Sequence, residues 1–308
     1  LHSRGPLRVL FVTTSMPVCG QETLLVNMIR RMDRRQFSPE LCCLKEPGPL
    51  AEDLAGEIPV HGRLLCCKYD AGVLFRLARI MRERRIDAVV TVGAGDKMFW
   101  GRLAARWAGV PVVLSAIHST RWPNGISRLN RLLTPITDYI IGVAEEHGRY
   151  LIEEEGFPAE KVRVIPNGVD VDRFHKRIAG KELRRRLTVP EDAPIVGIVA
   201  ALRPEKNHSL FLLAADKVRR QRPETHFLIV GDGSLRANIQ DEIEKLNLND
   251  AVHLLGTRDD VPEILALLEV FVLTSLTEAA PVSVLEAMAA GKPVVVTRVG
   301  SVADVVRD

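Results

Sequence analysis

Short apolar runs of strand length alternate with amphipathic stretches of helix length along almost all of the 308 residues. This alternation constrains the fold more than any other feature, because it is typical of βαβ units on a parallel sheet. It occurs in two sets, separated by a charged stretch without strand patterns at residues 172–192. The sequence therefore predicts two doubly wound, Rossmann-like α/β domains, residues 1–171 and residues 172–308.

The same pattern predicts individual elements in both domains. Strands are expected at residues 7–12, 40–44, 87–92, 110–117, 138–143, 195–200, 226–230, 252–254, 270–273 and 293–296. Helices are expected just after Gly20 and at residues 71–84, 97–108, 145–154, 209–220, 235–246, 261–268 and 282–290. Since open α/β sheets bind ligands at the carboxyl ends of their strands, we expect the site in a cleft that both domains face.

Composition favours a soluble enzyme or binding protein, with 46% hydrophobic and 26% charged residues. Residues 1–6 lack the apolar core of a secretory signal, and no apolar run reaches the length needed to span a bilayer. The five cysteines show neither a disulfide framework nor a C-x-x-C zinc spacing, which predicts reduced thiols and a cytoplasmic location. The absent initiator Met and the end at Asp308 predict that the natural protein continues and that the second domain is truncated.

Charge is distributed unevenly between the two halves. Residues 1–135 contain 20 Lys and Arg against 11 Asp and Glu, whereas residues 136–308 contain 22 against 28. Basic clusters in the first half, such as Arg79 to Arg85, can attract an anionic membrane surface or acceptor. The alternative is a solvated helix face. No aromatic residues interleave with these clusters, so nucleic acid is not expected as a partner.

The segment from Glu278 to Glu286 follows the predicted strand 270–273 and leads into a helix. Pro281 suits the first turn of that helix, and the N–H groups of Val282 and Ser283 suit phosphate or sugar oxygens. A hydroxyl-rich ligand such as a sugar or ribose would explain both carboxylates. Compensation of the helix dipole by Glu278 and a surface salt bridge by Glu286 explain the spacing equally well.

This segment resembles the retaining glycosyltransferases of family 4. The family pattern of two Glu separated by seven residues, then Ala-Met-Ala, Gly and Pro-Val-Val, is matched by Glu278, Glu286, Ala287-Met288-Ala289, Gly291 and Pro293-Val294-Val295. The resemblance, which runs along nearly the whole chain, implies the GT-B fold. It also implies that Glu286 binds the donor ribose, that Glu278 holds donor sugar hydroxyls, and that backbone N–H groups around Ala280, Pro281 and Val282 meet donor oxygens.

A second cluster, at the end of the predicted strand 195–200, contains Arg203 and Lys206. Two fixed cations at a strand-to-helix turn would stabilise the charge that develops on a departing nucleotide diphosphate. The alternative is a pair of exposed cations on a loop. The family usually has Arg where Ala201 stands, and we hypothesise that Arg203 substitutes for it. Asn207 or Ser209 is expected to cap the next helix.

In the first domain the resemblance points to Gly20 and His118. The family usually carries two glycines before its first helix, and Cys19 replaces the first of them. Gly20 would let the backbone approach a phosphate or acceptor, and its alternative role is an ordinary turn. His118 is expected at a strand end beside the donor sugar, as a catalytic group, although a lone His is more often structural. Trp122 could stack on a sugar face.

The resemblance thus implies a retaining hexosyltransferase that moves a sugar from a UDP- or GDP-type donor to a glycan, lipid or small-molecule acceptor. The resemblance implies catalysis without a metal ion or a cofactor other than the donor, with His118, Arg203, Lys206 and Glu278 as the catalytic residues. The alternatives are a GT-B sugar-nucleotide epimerase and a non-catalytic nucleotide-sugar-binding protein. A cytoplasmic protein is expected, with peripheral attachment to the inner membrane face as a weaker preference.

Overall fold

The computed structural model describes residues 5–67, 70–93, 96–120, 128, 130–174 and 180–306. The chain forms two compact units, Leu1–Asn167 and Gly168–Asp308. Each unit is built on one parallel sheet with helices between its strands. The predicted α/β class with two Rossmann-like domains is confirmed.

The first unit contains a seven-stranded sheet with the order β3-β2-β1-β4-β5-β6-β7. Its strands are β1 (Leu7–Thr13), β2 (Phe37–Cys43), β3 (Val60–His61), β4 (Ala88–Val92), β5 (Val112–Ala116), β6 (Tyr139–Gly142) and β7 (Val162–Val164). Its helices are α1 (Gly20–Arg31), α2 (Pro49–Leu54), α3 (Gly72–Glu83), α4 (Asp96–Ala108) and α5 (Glu145–Glu153).

The central strand β1 lies between β2 and β4 and is buried on both faces. Val9 and Phe11 belong to one apolar cluster, whereas Leu10 and Val12 belong to another. Successive side chains of a strand point to opposite faces, so these four residues pack against helices on both sides of the sheet. This explains why the strand reads as a continuous apolar run.

The second unit contains a five-stranded parallel sheet with the order β10-β9-β8-β11-β12. Its strands are β8 (Ile195–Val199), β9 (His226–Val230), β10 (Val252–Gly256), β11 (Val270–Leu273) and β12 (Val294–Val296). Its helices are α6 (Val171–Phe174), α7 (Gly180–Arg186), α8 (His208–Gln221), α9 (Arg236–Lys245), α10 (Val261–Leu267), α11 (Val282–Ala289) and α12 (Val302–Val305).

A glycine in the middle of β8 has a packing role. Gly197 lies opposite Leu268, and a Cβ atom at Gly197 would lie 2.6 Å from a terminal carbon of Leu268. Its neighbours Ile195 and Ile198 are fully buried. The missing side chain therefore lets the segment after α10 pack against the central strand.

Both strand orders change direction at one point, between β1 and β4 in the first unit and between β8 and β11 in the second. Connections on the two sides of such a point leave opposite faces of the sheet, so the loops there separate and create a ligand-binding crevice. In the second unit these loops are residues 200–207 and 274–281. They contain most of the predicted donor-binding residues.

Two features differ from the sequence-based expectation. The strands β3 and β7 have only 2 and 3 residues, too short to produce a recognisable pattern. The stretch 172–192 is not a simple linker, because it includes α6 and α7 and belongs to the second unit. Phe174, Leu183 and Leu187 are buried in the core of that unit. The apolar residues of this stretch are scattered among charged residues, so the sequence pattern did not predict that it packs into the core.

Candidate functional site

The predicted donor-binding residues of the second unit lie on the loops after β8 and β11 and on the first turns of α11. These two strands are neighbours in the sheet, with Val270 opposite Val196. The carboxyl ends of these strands therefore bring together two loops that are distant in sequence. Lys206 lies on the first loop, and Glu278, 72 residues later, lies on the second.

An ion pair joins the two loops at the centre of the site. Lys206 Nζ lies 2.6 Å from Oε1 of Glu278, and the hydroxyl of Ser275 donates to the same oxygen at 2.5 Å. Glu278 is only 8% exposed, so its charge requires these partners. Among the described residues, none donates to Oε2 of Glu278. One carboxylate oxygen is thus held by the protein and the other remains for a ligand hydroxyl.

Backbone hydrogen bonds fix the two loops against each other. The hydroxyl of Thr274 donates to the carbonyl oxygens of Lys206 at 3.2 Å and of Asn207 at 3.0 Å. The N–H of Leu276 donates to the carbonyl of Glu205 at 2.8 Å. Because these bonds orient the backbone on both sides of the ion pair, Lys206 and Glu278 are held in place before any ligand binds.

Two glycines after β9 allow their loop to pack closely against the loop that contains Lys206. A Cβ atom at Gly231 would lie 2.0 Å from the carbonyl oxygen of Ala200, and one at Gly233 would lie 2.5 Å from that of Leu202. The N–H of Leu202 donates to the carbonyl of Asp232 at 3.0 Å. Gly231-Asp232-Gly233 is not the start of a dinucleotide fingerprint, because Arg236 stands at the position of the third glycine. The structure assigns it to close backbone packing.

The loop after β12 supports the Glu278 loop from another side. The hydroxyl of Thr297 donates to the carbonyl of Ser275 at 2.6 Å. Gly300 has a φ of +48°, and a Cβ atom there would lie 1.9 Å from the carbonyl oxygen of Glu278. Sequence reasoning missed Thr274, Ser275 and Gly300. The hydroxyl residues directly after β11 were the only available signal, since such residues often bond to nearby backbone.

Helix α11 begins directly after this loop. Pro281 is its N-cap, with an extended ψ of 111°, so it precedes the first helical turn that the sequence had suggested. Among the described residues, none accepts a hydrogen bond from the N–H groups of Val282 or Ser283. Ala280 lies just before Pro281 and is partly exposed. The start of α11 therefore presents donors of the kind that bind anionic oxygens.

Glu286 lies on α11 and is partly buried. Burial raises the pKa of its carboxyl to about 7, and the positive charge of Arg173 on α6 acts in the opposite direction. Within the described part of the chain, no side chain or N–H donates a hydrogen bond to this carboxylate. A desolvated carboxyl without a donor is costly in a ligand-free protein, which is typical of a group that pairs with a ligand. Sequence reasoning missed Arg173.

Arg203 is not brought to the ion pair. Its side chain is exposed, it forms no ion pair with any residue that the structure describes, and its N–H donates to the carbonyl of Ala201 at 2.8 Å. The capping expectation was partly wrong. Asn207 stands at the N-cap of α8 with a left-handed φ of 50°, but its side chain makes no capping bond. Ser209 instead donates to Glu242 at 2.7 Å.

In the first unit, Gly20 is the first residue of α1 and is exposed. Gly20 has a helical backbone and not the positive φ that only glycine adopts readily. A glycine at this position therefore matters for its small size and not for its backbone conformation. Cys19 is the N-cap of this helix, is exposed and makes no side-chain capping bond. The nearby end of β4 packs closely against this helix, because a Cβ atom at Gly93 would lie 3.2 Å from the side-chain Nε2 of Gln21.

His118 follows β5 and is partly exposed. Burial, together with the nearby His147, lowers the pKa of His118 to about 4. Its imidazole is therefore neutral near pH 7 and is suited to hydrogen bonding rather than to charge stabilisation. The N–H of Val143 donates to Nδ1 of His147 at 3.2 Å, which places the proton of His147 on Nε2. Trp122 lies outside the described residues.

The described residues contain no cluster of three or more His, Cys, Asp or Glu that could hold a metal ion, although Asp170 and Asp172 have the Asp-x-Asp spacing. The five cysteines are free thiols, with Cys42 and Cys43 buried. None of the helices in the described residues has the length and apolar character needed to span a bilayer.

Comparison with known families identifies the class of protein. The model of Glycosyltransferase Family 4 matches residues 18–173, and the model of glycosyl transferases group 1 matches residues 180–308. The chain belongs to Glycosyltransferase Family 4, as the Glu278–Glu286 segment suggested. It is a glycosyltransferase with the GT-B fold, and neither the epimerase nor the non-catalytic alternative is favoured.

Individual relatives agree with this assignment. The chain is 29% identical over 315 residues to the Escherichia coli UDP-Gal:alpha-D-GlcNAc-diphosphoundecaprenol alpha-1,3-galactosyltransferase, covering 97% of this chain and 80% of the relative. It is 28% identical over 305 residues to the putative glycosyltransferase EpsF of Bacillus subtilis, covering 94% and 79%. The crystal structure of Anabaena HepE in complex with UDP and glucose has a TM-score of 0.84 at 21% identity, covering 98% of this chain and 83% of HepE.

Proposed function

We propose that this glycosyltransferase moves a hexosyl group from a UDP-sugar to a lipid-linked glycan acceptor, with retention of the anomeric configuration and without a metal ion. The observation that carries the proposal is the Lys206–Glu278 pair at the sheet's switch point, with one carboxylate oxygen of Glu278 left for a ligand. A fixed cation beside a buried acceptor of hydroxyl hydrogen bonds is suited to the junction between a diphosphate and a sugar.

Lys206 and Glu278 have complementary roles in this proposal. The ammonium of Lys206 has three N–H groups and gives one to Glu278, so the others can reach diphosphate oxygens. Oε2 of Glu278 accepts from a hydroxyl of the donor sugar. The N–H groups of Val282 and Ser283 meet further donor oxygens at the start of α11. Arg203, exposed on the same loop, is the second candidate cation.

The nucleoside is assigned to Glu286. A ribose has two adjacent hydroxyls that donate to one carboxylate, and Glu286 has a carboxylate without a donor among the described residues. Binding the ribose would favour the ionised form and lower the raised pKa of this group. Support for UDP over other nucleotides comes from the Escherichia coli relative, whose named donor is UDP-Gal.

The first unit supplies the acceptor side in this proposal. The neutral imidazole of His118 would form a hydrogen bond with a sugar hydroxyl, and the exposed Gly20 would leave room for the backbone to approach the acceptor. In a single-step transfer with retention, the bond from the anomeric carbon to the diphosphate breaks and the acceptor hydroxyl attacks that carbon from the same face. The departing phosphate takes the acceptor's proton, so no separate base is needed.

The proposed acceptor is a lipid-linked sugar at the inner face of the cytoplasmic membrane. The acceptor named for the Escherichia coli relative is a sugar diphosphate carried on undecaprenol, a polyisoprenoid lipid. The excess of Lys and Arg in residues 1–135, 20 against 11 acidic residues, would attract both an anionic leaflet and a diphosphate acceptor. A cytoplasmic enzyme bound peripherally to that leaflet fits both points.

Donor choice is tested first by thermal shift of the full chain with UDP-, GDP-, ADP- and CMP-sugars. Transfer is then measured from the stabilising donor to a sugar carried on a short-chain polyprenyl diphosphate, with and without EDTA, and the product anomer is determined by NMR. We expect a UDP-sugar to stabilise the protein and to give an α-linked product. EDTA should not reduce the rate of this transfer.

Other results would reject specific parts of the proposal. A free epimer without acceptor product, or binding without turnover, refutes transferase activity on this acceptor. Loss of activity in EDTA refutes the metal-free step, and an inverted product refutes retention. Arg203→Ala is the matched test beside Lys206→Ala, because both cations lie on one loop. If only the Lys206 variant loses donor turnover, Arg203 is not the second cation.

A further inference from the structure

Two aromatic rings are in contact on the surface of the first unit. Phe75 on α3 is 61% exposed and Trp107 on α4 is 45% exposed. Their ring centroids lie 4.8 Å apart in an edge-to-face arrangement. Val73 and Leu77 of α3 are fully buried, so Phe75 lies on the opposite side of this helix from the core. Single exposed apolar residues are ordinary, but a pair in contact forms a patch that the fold itself does not use.

Arginines surround the aromatic pair. The guanidinium carbon of Arg82 lies 5.0 Å from the Trp107 ring centroid, and an N–H of Arg82 donates to the Trp107 carbonyl at 2.7 Å. Five arginines of residues 75–85 and 99–108 are exposed, and Glu83 is the one acidic residue of these ranges. Of the five, Arg84 is paired with Glu40. Glu83 pairs with the exposed Arg79 at 2.7 Å.

Several of these cations are available to a partner. Arg82, Arg85 and Arg106 are exposed, and no carboxylate of a described residue pairs with any of them. We call the set formed by Phe75, Arg79, Arg82, Arg106 and Trp107 the α3/α4 surface. Its net charge is positive, since only Arg79 of its three arginines is paired with a carboxylate among the described residues, and its centre is aromatic.

We propose that the α3/α4 surface docks on an anionic lipid bilayer, with Phe75 and Trp107 at the headgroup level and the arginines against lipid phosphates. Tryptophan, which has an apolar ring and a polar N–H, is favoured at this depth, and Phe75 adds apolar area beside it. Arginines near an anionic leaflet are attracted to it. Because Glu83 is the one acidic residue among these groups, charge complementarity requires an anionic partner, and the exposed aromatic pair fits the headgroup level of a bilayer. Docking there would bring the enzyme to a lipid-borne acceptor, a consequence that rests on the proposed function.

The first test is co-sedimentation of the full chain with vesicles. Phosphatidylcholine vesicles are compared with vesicles that also contain phosphatidylglycerol, at low and high salt. We expect binding only to the anionic vesicles and its loss at high salt. Arg82→Gln combined with Arg106→Gln should weaken binding by about 25-fold, because each lost cation is worth about fivefold. Phe75→Ser should weaken it further.

Matched controls are available on the second unit. Leu213 on α8 is 49% exposed, and Arg220 on the same helix is also exposed. Leu213→Ser and Arg220→Gln should leave vesicle binding unchanged. Equal binding to neutral and anionic vesicles, or equal losses in the control variants, overturns the proposal.

A second measurement locates the surface directly. The chain has three tryptophans, so Trp100→Phe with Trp122→Phe leaves Trp107 as the only one. Brominated acyl chains should quench Trp107 fluorescence in anionic vesicles, and an unquenched Trp107 overturns the docking geometry. If Phe75→Ser instead abolishes self-association without changing vesicle binding, the surface is a protein interface and the proposal fails.

The outcome can be separated from that of the proposed function. Transfer to a water-soluble acceptor by Phe75→Ser and by the double arginine variant should equal that of the unmodified protein. Vesicle binding with no activity on any acceptor would support docking while rejecting the proposed function. Activity without vesicle binding would do the reverse.

Discussion

Replacing Glu286 by Gln should stabilise the protein at high pH while it weakens donor binding. Burial raises the pKa of this carboxyl to about 7 from an ordinary value of 4.5. The difference between these two pKa values corresponds to up to about 3 kcal/mol in the free energy of unfolding. Below pH about 4.5 the carboxyl is protonated in both states and costs nothing. As the pH rises from about 4.5 to about 7, this carboxyl ionises in the unfolded chain but stays protonated in the folded protein. Ionisation stabilises the unfolded chain, so the free energy of unfolding falls over this pH range.

Glu286→Gln removes this titration. The free energy of unfolding of the variant should therefore exceed that of the unmodified protein by a small amount at pH 5 and by up to about 3 kcal/mol at pH 8. Urea unfolding at several pH values measures this difference. Its donor affinity should fall about 10- to 100-fold, because hydrogen bonds from ribose to a charged acceptor are lost. Donor affinity of the unmodified protein should also fall as the pH drops below 7.

The control is Glu244→Gln, which changes an exposed helical glutamate of the same unit. It should show no such pH-dependent gain. The reasoning is refuted if the stability difference between Glu286→Gln and the unmodified protein is the same at pH 5 and pH 8. Stabilisation with unchanged donor affinity would retain the burial argument and reject the ribose role.

Three further predictions follow from the same geometry. Lys206→Met leaves Glu278 buried without its cation and should lower the free energy of unfolding by about 3–5 kcal/mol, measured by urea unfolding, and lower turnover at least about 100-fold. His118 should titrate by NMR at a pH of about 4, so turnover should not change through this group between pH 6 and 8, whereas His118→Ala should reduce kcat about 10- to 100-fold. Gly300→Ala should cost more than about 2 kcal/mol by urea unfolding and should also reduce turnover, because its Cβ atom would meet the Glu278 carbonyl.

Each has a control or a contradicting result. For the ion pair, Lys206→Met combined with Glu278→Leu should recover stability but not turnover, since no buried charge is left unpaired. A steep loss of turnover with a midpoint near pH 6.5 that disappears in His118→Ala would contradict the neutral imidazole. Gly291→Ala matches Gly300→Ala, because Gly291 also has a positive φ, 68°, but has no atom within 4 Å of an added Cβ. Equal effects of the two glycine variants would argue against the close contact.

Local patterns in the sequence were sufficient to predict most of the elements. β9 (His226–Val230) and β11 (Val270–Leu273) have the predicted bounds, because buried parallel strands are continuous apolar runs with distinct ends. The helices α3 and α8 were predicted within about two residues for a similar reason, the spacing of apolar residues on one face. Short edge strands and the packed stretch around α7 carry too few apolar residues for such a signal.

The sequence by itself determined the fold class, the resemblance to the family and the residue types proposed for the candidate site, because these depend on periodicity and on spacing along the chain. Which residues meet was decided only by tertiary structure. The pairing of β8 with β11 brings Lys206 to Glu278, and it leaves Arg203 exposed although Arg203 lies on the same loop. Thr274, Ser275 and Gly300 act through hydrogen bonds and close contacts between loops distant in sequence, and such contacts leave no periodic pattern. The raised pKa of Glu286 is likewise a property of its surroundings, since burial is set by the packing of α11 within the unit.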